Sequence, residues 1–187
     1  MISTADFKNG LTVILEGEVY QIIEFQHVKP GKGGAFVRTK LRQLRSGKVL
    51  DRTFRAGEKM EQALLERKPL EFLYSTDDEY VFMDTESFEQ MSLPGRVIGD
   101  QALYLKENLP VTIVFHGDDI IDLELPHTVE LKVAQTDPGL RGDTASGGSK
   151  PARVETGATV SVPLFINEGD IIRVDTRSGE YLERVSA

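Results

Sequence analysis

Seven residues, Lys29-Pro30-Gly31-Lys32-Gly33-Gly34-Ala35, place one lysine among three glycines and a proline, with a β-forming run on either side. A lysine so framed carries an ammonium with three donors and no acceptor. No acidic residue lies within the segment to neutralise it. Its available chemistry is attraction and hydrogen bonding to an anionic group. Pro30 fixes the chain entering the bend, and Gly31, Gly33 and Gly34 supply backbone freedom at positive φ. The segment therefore reads as the tip of a β-hairpin, with arms from Glu18 to Val28 and from Ala35 to Arg45. Eight paired residues per arm would carry Lys32 roughly 25 Å from the body of its domain, at about 3.4 Å per residue.

The surroundings of Lys32 point the same way. From Lys29 to Arg55 stand nine basic residues (Lys29, Lys32, Arg38, Lys40, Arg42, Arg45, Lys48, Arg52, Arg55) and one acidic residue, Asp51. A solvated strand face is the ordinary reading of such a charge run. The near absence of counter-charge makes this one a phosphate-facing candidate. The whole chain has a net charge of −8, which argues against a nucleic-acid partner until the charge is divided. Residues 1–64 carry a net +4, residues 65–126 a net −10 and residues 127–187 a net −2. The first third attracts phosphate and the middle third repels it.

Other chemistries find little support. His27, His116 and His127 are isolated, with no partner at metal-ligand spacing, so neither a metal site nor a histidine general base is expected. The run Gly142-Asp143-Thr144-Ala145-Ser146-Gly147-Gly148 resembles a phosphate loop only in composition, because no GxxxxGK[ST] pattern occurs in the chain. Arg141-Gly142-Asp143 is read as loop chemistry. Asp77-Asp78 and Asp118-Asp119 fall at turn positions, where aspartate bonds locally and is seldom buried enough for acid/base tuning. No catalytic residue, no metal and no cofactor is expected. The protein is not read as an enzyme.

The elements that must position Lys32 are short strands. Thr12 to Leu15, Glu18 to Val28, Ala35 to Leu44 and Val49 to Phe54 form a meander closing into a small barrel. Glu58 to Arg67 has helical spacing, with Met60, Leu64 and Leu65 on one face, and Pro69 ends it. Leu70 to Tyr74, Tyr80 to Asp84, Phe88 to Leu93, Val111 to Phe115 and Ile120 to Leu125 form a second, acidic β-unit. Thr128 to Ala134, a glycine-rich loop over 136–150, Thr159 to Phe165, Ile171 to Val174 and Tyr181 to Val185 form a third. The expected architecture is all-β, three consecutive small barrels spanning 1–64, 65–126 and 127–187. The chain has no cysteine and no apolar run of bilayer-spanning length, and Met1 opens no secretory signal, so a cytoplasmic protein with no membrane partner is expected.

Several segments together closely resemble bacterial translation elongation factor P. They are Lys29 to Arg38 at the tip, Arg52-Thr53-Phe54, Tyr80 to Asp84, Leu131-Lys132-Val133, Asp137 to Thr144, Gly147 to Ala152, Val162 to Phe165 and Val174 to Tyr181. They occur in family order and cover essentially the whole chain. The lysine-glycine tip alone would be a weak signal, and the agreement of independent segments makes the resemblance specific. It implies an SH3-like (KOW-type) first domain followed by two OB-fold domains. It also implies a factor that binds the 70S ribosome beside the P-site peptidyl-tRNA and relieves stalling at consecutive prolines.

By this resemblance Lys32 is the tip residue directed at the tRNA CCA end, supported by Lys29, Pro30, Gly31, Gly33 and Gly34. Arg38, Lys40, Arg42, Arg52 and Arg55 become candidates for backbone contacts with tRNA and ribosomal RNA. Gly142, Asp143 and Thr144 match the family segment that approaches mRNA in the E site. Tyr181 and Arg184 lie where the last domain would meet tRNA, with barrel-core packing as the alternative for Tyr181. In many members a dedicated enzyme lengthens the tip lysine. Lysine at position 32 excludes the arginine-type modification, while β-lysylation, another extension and the bare amine all suit its flanks. A lone probe must stay uncovered, so a monomer is expected. The rival reading, a general RNA-binding module, would expose stacking aromatics. Aromatic content is 7% with no tryptophan, and most Phe and Tyr fall at core positions.

Overall fold

The computed structural model describes residues 1–139 and 148–187. Gly142, Asp143 and Thr144, expected to approach mRNA, lie outside the described residues. Short strands dominate because β-branched and aromatic residues alternate with polar ones between glycine-rich turns. They form three curled antiparallel sheets.

The first sheet contains β1 (Ile2–Ser3), β2 (Thr12–Leu15), β3 (Glu18–Val28), β4 (Phe36–Gln43), β5 (Val49–Arg55) and β6 (Lys59–Gln62) in the order β1-β6-β2-β3-β4-β5. Glu16 and Gly17, at φ 54° and 81°, join β2 to β3 in a two-residue turn whose handedness matches the strand twist. The strands wrap a core of Phe7, Leu11, Val13, Ile22, Val37, Leu41, Phe54 and Met60. Phe7 meets Phe25 and Phe54 edge-on, with ring centroids 6.1 and 5.6 Å apart.

Sequence spacing predicts a helix over 58–67, and the structure replaces it with β6 and the start of β7 (Glu66–Ser75). Met60 pairs with Ile2, and Gln62 with Val13. Met60 and Ala63 are buried, whereas Leu64 is 76% exposed. The apparent helical face is thus split by pairing with strands some fifty residues away, which local periodicity does not register.

The second sheet has the order β11-β10-β7-β8-β9, adding β8 (Glu79–Met83), β9 (Gln90–Pro94), β10 (Pro110–His116) and β11 (Asp119–Glu124). One helical turn, α1 (Gly95–Ile98), and a 3₁₀ segment (Gly99–Tyr104) interrupt it. The third sheet has the order β14-β13-β12-β15-β16, formed by β12 (Thr128–Thr136), β13 (Ser149–Val154), β14 (Thr159–Pro163), β15 (Ile171–Asp175) and β16 (Tyr181–Ser186). Strict alternation along β12 to β14 buries Val129, Leu131, Val133, Ala152, Val154, Val160 and Val162.

Contacts group the chain into two compact units. One is Met1–Lys68 with Ile113–Asp122, and the other is Pro69–Thr112 with Leu123–Ala187. Within the first, Ile121 packs on Val19 and Ala63, so the turn end of the β10–β11 hairpin shares that unit's core. Within the second, Thr156 Oγ1 donates to the Leu103 carbonyl at 2.5 Å and Lys106 Nζ to the Glu130 carbonyl at 2.6 Å.

Four polar residues are buried among the described residues, Thr4, Thr39, Lys150 and Asp170. Thr39 on β4 is 2% exposed, and its Oγ1 has no hydrogen-bond partner among the described residues. An unpartnered buried hydroxyl costs on the order of 1 kcal/mol. Thr39→Val keeps the branched shape that strands favour and removes that cost. Chemical denaturation should show the variant more stable by about 1 kcal/mol with an unchanged denaturant slope. A loss of stability of that size would mean that the hydroxyl is satisfied by bound water.

Candidate nucleic-acid interface at the hairpin tip

Strands β3 and β4 pair from Tyr20↔Gln43 out to Val28↔Phe36, with a bulge between Ile22 and Glu24. Lys29 to Ala35 forms the connection beyond the last pair. Lys32 is exposed and makes no hydrogen bond or ion pair among the described residues. Lys29 is likewise exposed. Of the three glycines only Gly33, at φ 100°, occupies the left-handed region, so the bend depends on one glycine. A Cβ on Gly31 or Gly34 would meet nothing within 4 Å. Residues 29–34 are all exposed.

The arms are less of a free stalk than strand length alone predicts. Val37 and Leu41 are fully buried, and β5 flanks β4 as far as Phe36↔Arg55. Most of the paired length is barrel wall. Seven connecting residues, out and back, project about 12 Å at roughly 3.4 Å per residue.

Register sorts the basic residues by face. Arg38, Lys40 and Arg42 alternate with the buried Val37, Thr39 and Leu41, and so share the outer face of β4. Arg55 lies opposite Phe36 on that same face. Arg52 sits opposite Thr39, on the face that carries Phe54 into the core. There it lies 3.4 Å from Glu16 and over the Phe54 ring at 5.5 Å. Five residues grouped by sequence as phosphate contacts therefore divide into an outer set of four and one arginine on the opposite face.

Within the outer set Lys40 is 3.6 Å from Glu24 and opposite Asp51, so its charge is largely answered. Arg38 stacks over Phe36 at 5.6 Å, which holds the guanidinium near the tip. Arg38, Arg42 and Arg55 make no ion pair among the described residues. These three arginines are exposed on the outer face, and the exposed Lys29 and Lys32 follow in the connection beyond it, an arrangement of cations suited to a run of phosphates. Phe36 and Glu16 orient two of these arginines, and residue type alone marks neither. Strand parity relative to Phe54 is the signal that would have found Arg52's position.

The two C-terminal candidates lie on β16. Tyr181 is half-buried opposite Val174 and lines a cleft of about 410 Å³ with Ser149, Ser161, Val162 and Pro163. Arg184 stacks over the exposed Phe165 ring at 5.3 Å and lies 3.8 Å from the buried Asp170 carboxylate. At the base of the 140–147 segment, a Cβ on Gly139 would stand 2.4 Å from the Leu164 carbonyl oxygen, and Lys150 Nζ donates to the Asp137 carbonyl at 2.5 Å. No group of His, Cys, Asp or Glu among the described residues is arranged to hold a metal. Among the described residues no helix is long and apolar enough to cross a membrane.

Family models match three successive stretches: an elongation factor P KOW-like domain at residues 3–60, an elongation factor P OB domain at 65–123 and an elongation factor P C-terminal domain at 129–184. Elongation factor P of Natranaerobius thermophilus is 61% identical over 185 residues, covering 99% of this chain and 98% of the relative. The chain belongs to the elongation factor P family. The Moorella thermoacetica member is 55% identical over 98% of this chain and 100% of its own length, and the Mycobacterium avium member 54% identical over the whole of both. Among solved structures, eukaryotic translation initiation factor 5A from Methanococcus jannaschii superposes with a TM-score of 0.52 at 21% identity, over 65% of this chain and 94% of its own. That likeness concerns the fold. The all-β architecture with a KOW-like first domain and OB domains is thereby established, and with it the role of a translation elongation factor.

Proposed function

We propose that the chain binds the 70S ribosome beside the P-site peptidyl-tRNA and speeds peptide-bond formation where consecutive prolines stall it. The observation that carries this reading is Lys32, an ammonium with no partner among the described residues, at the tip of a hairpin whose outer face holds further cations without an ion pair among them. The proline ring makes a poorly oriented nucleophile, and a nascent Pro-Pro segment draws the ester out of attack geometry. Lys32, hydrogen-bonded to the backbone of the CCA end, restrains that end in a reactive position, and the ribosome performs the chemistry. The factor forms no covalent bond of its own and needs no metal or cofactor.

Arg38, Arg42 and Arg55 contact tRNA and ribosomal RNA backbones, with Lys29 beside the tip. Lys40 contributes less because Glu24 answers it, and Arg52 serves mainly to hold Glu16 and the barrel edge. Tyr181 and Arg184 face tRNA from the last domain, and Gly142, Asp143 and Thr144 approach mRNA in the E site. The open tip also leaves Lys32 accessible to a lysine-modifying enzyme. We assign three domains, 1–64, 65–126 and 127–187, to a cytoplasmic protein acting as a monomer.

Filter binding with isolated RNA, set against co-sedimentation with 70S ribosomes, separates this reading from a general RNA-binding module. The chain should sediment with ribosomes carrying P-site tRNA and retain little free RNA. Equal retention of free RNA would contradict the proposal.

A further inference from the structure

One turn occurs three times among the described residues, with one difference that its geometry does not favour. At Gln43 to Lys48, Gly47 N donates to the Gln43 carbonyl and Gln43 N to the Lys48 carbonyl, both at 2.8 Å. At Asp175 to Glu180, Gly179 N donates to the Asp175 carbonyl at 2.8 Å and Asp175 N to the Glu180 carbonyl at 2.9 Å. At Asp84 to Glu89, Phe88 N donates to the Asp84 carbonyl at 2.8 Å and Asp84 N to the Glu89 carbonyl at 2.9 Å.

The last two also share their side-chain bonds. Asp175 Oδ1 accepts from Arg177 N and Ser178 N, as Asp84 Oδ1 does from Glu86 N and Ser87 N, and each serine Oγ accepts from the backbone N–H two residues on. These donors hold the Asp175 carboxyl below its ordinary range. The turn requires a left-handed residue at its fifth position. Gly47 at φ 71° and Gly179 at φ 74° supply it without cost, and Phe88 stands there at φ 61°. A bulky L-residue is a rare occupant of that conformation.

The position is also unfavourable for solvation. Phe88 is 71% exposed and makes no ring contact with the rest of the chain among the described residues. Strain and exposure thus coincide on one aromatic ring, at a tip where two other turns of this protein use glycine. Glu86 and Glu89 flank the ring, in a segment, 65–126, with a net charge of −10. Phosphate is repelled from such a tip, whereas a basic protein surface is attracted.

We infer that Phe88 is an anchor that inserts into an apolar pocket with a basic rim on a partner protein. The ring supplies buried area at the centre of the contact and the two glutamates steer the encounter. Given the ribosomal reading above, on which the choice of probe rests, the partner is sought among basic ribosomal proteins.

The probe is a set of ribosomal proteins freed of RNA and titrated singly against the full chain. One of them should bind with a Kd that rises at least tenfold in Phe88→Gly and in Phe88→Ser. Phe88→Gly should unfold at an equal or higher temperature than the natural chain, which separates lost binding from lost folding. Glu86→Gln with Glu89→Gln should slow association and flatten its salt dependence. Photo-crosslinking from a benzophenone side chain at position 88, in the ribosome-bound factor, should label protein. Label on RNA, or Kd values unchanged by both Phe88 variants for every protein in the set, overturns the inference. Co-sedimentation of the natural chain with 70S ribosomes reads the proposed function separately. If it sediments and Phe88 proves irrelevant, only the anchor fails; if it does not sediment, the ribosomal reading fails whatever the titrations show.

Discussion

Replacing Lys32 by alanine should lower Pro-Pro bond formation on purified ribosomes by roughly 10- to 100-fold, the range expected for losing a hydrogen bond to a charged group. The unfolding midpoint should not move, because Lys32 is exposed and makes no internal bond among the described residues. Lys32→Met, which keeps reach and removes charge, should fall nearly as far, and Lys32→Arg should retain part of the effect. Synthesis through sequences without consecutive prolines should change little, since positioning limits the rate only where the ester is displaced. A methionine variant as active as the natural chain would show that bulk rather than charge is what the tip delivers.

Phe54→Ala should produce the largest loss of stability, about 3 to 5 kcal/mol. Phe54 is 1% exposed, lies opposite Val37 on β4 and meets Phe7 edge-on. Its loss opens a cavity at the point where β4 and β5 brace the hairpin, and removes the ring on which Arg52 rests. Denaturant unfolding followed by tyrosine fluorescence would measure the shift. Activity should fall with the fraction of folded first barrel, and low temperature should restore it, a recovery that Lys32→Ala should not show. A loss below about 1 kcal/mol would mean that Phe7 and Phe25 collapse into the space.

The all-β architecture and the Lys32 tip could be read from residue types because both rest on local signals. Alternating β-formers mark the strands, and a proline-glycine cluster marks the bend. What escaped was decided by partners distant in the chain. Met60, Leu64 and Leu65 fit a helical face as well as an extended one, and only pairing with Ile2 and Val13 makes the segment a strand. The reach of the tip depended on how far β5 follows β4, which strand length alone leaves open.

Arg52 and Phe88 are misses of another kind, since their signals stand in the sequence. Residues 52 and 54 share a parity, so a buried Phe54 places Arg52 on the inner face. Asp84-Thr85-Glu86-Ser87-Phe88-Glu89 repeats the pattern of Asp175-Thr176-Arg177-Ser178-Gly179-Glu180 with glycine replaced. The two segments differ most at position 88, where an aromatic stands in place of the glycine at 179.

The claim that Lys32 acts at the CCA end is open to a direct spatial measurement. The chain has no cysteine, so Gly34→Cys provides a unique thiol beside the tip, at a position where an added Cβ meets nothing within 4 Å. An iron chelate tethered there, in a factor bound to 70S ribosomes holding P-site tRNA, should cut the tRNA only at its 3′-terminal nucleotides. Cleavage confined to other RNA, or none from a factor that still sediments with the ribosome, would contradict it.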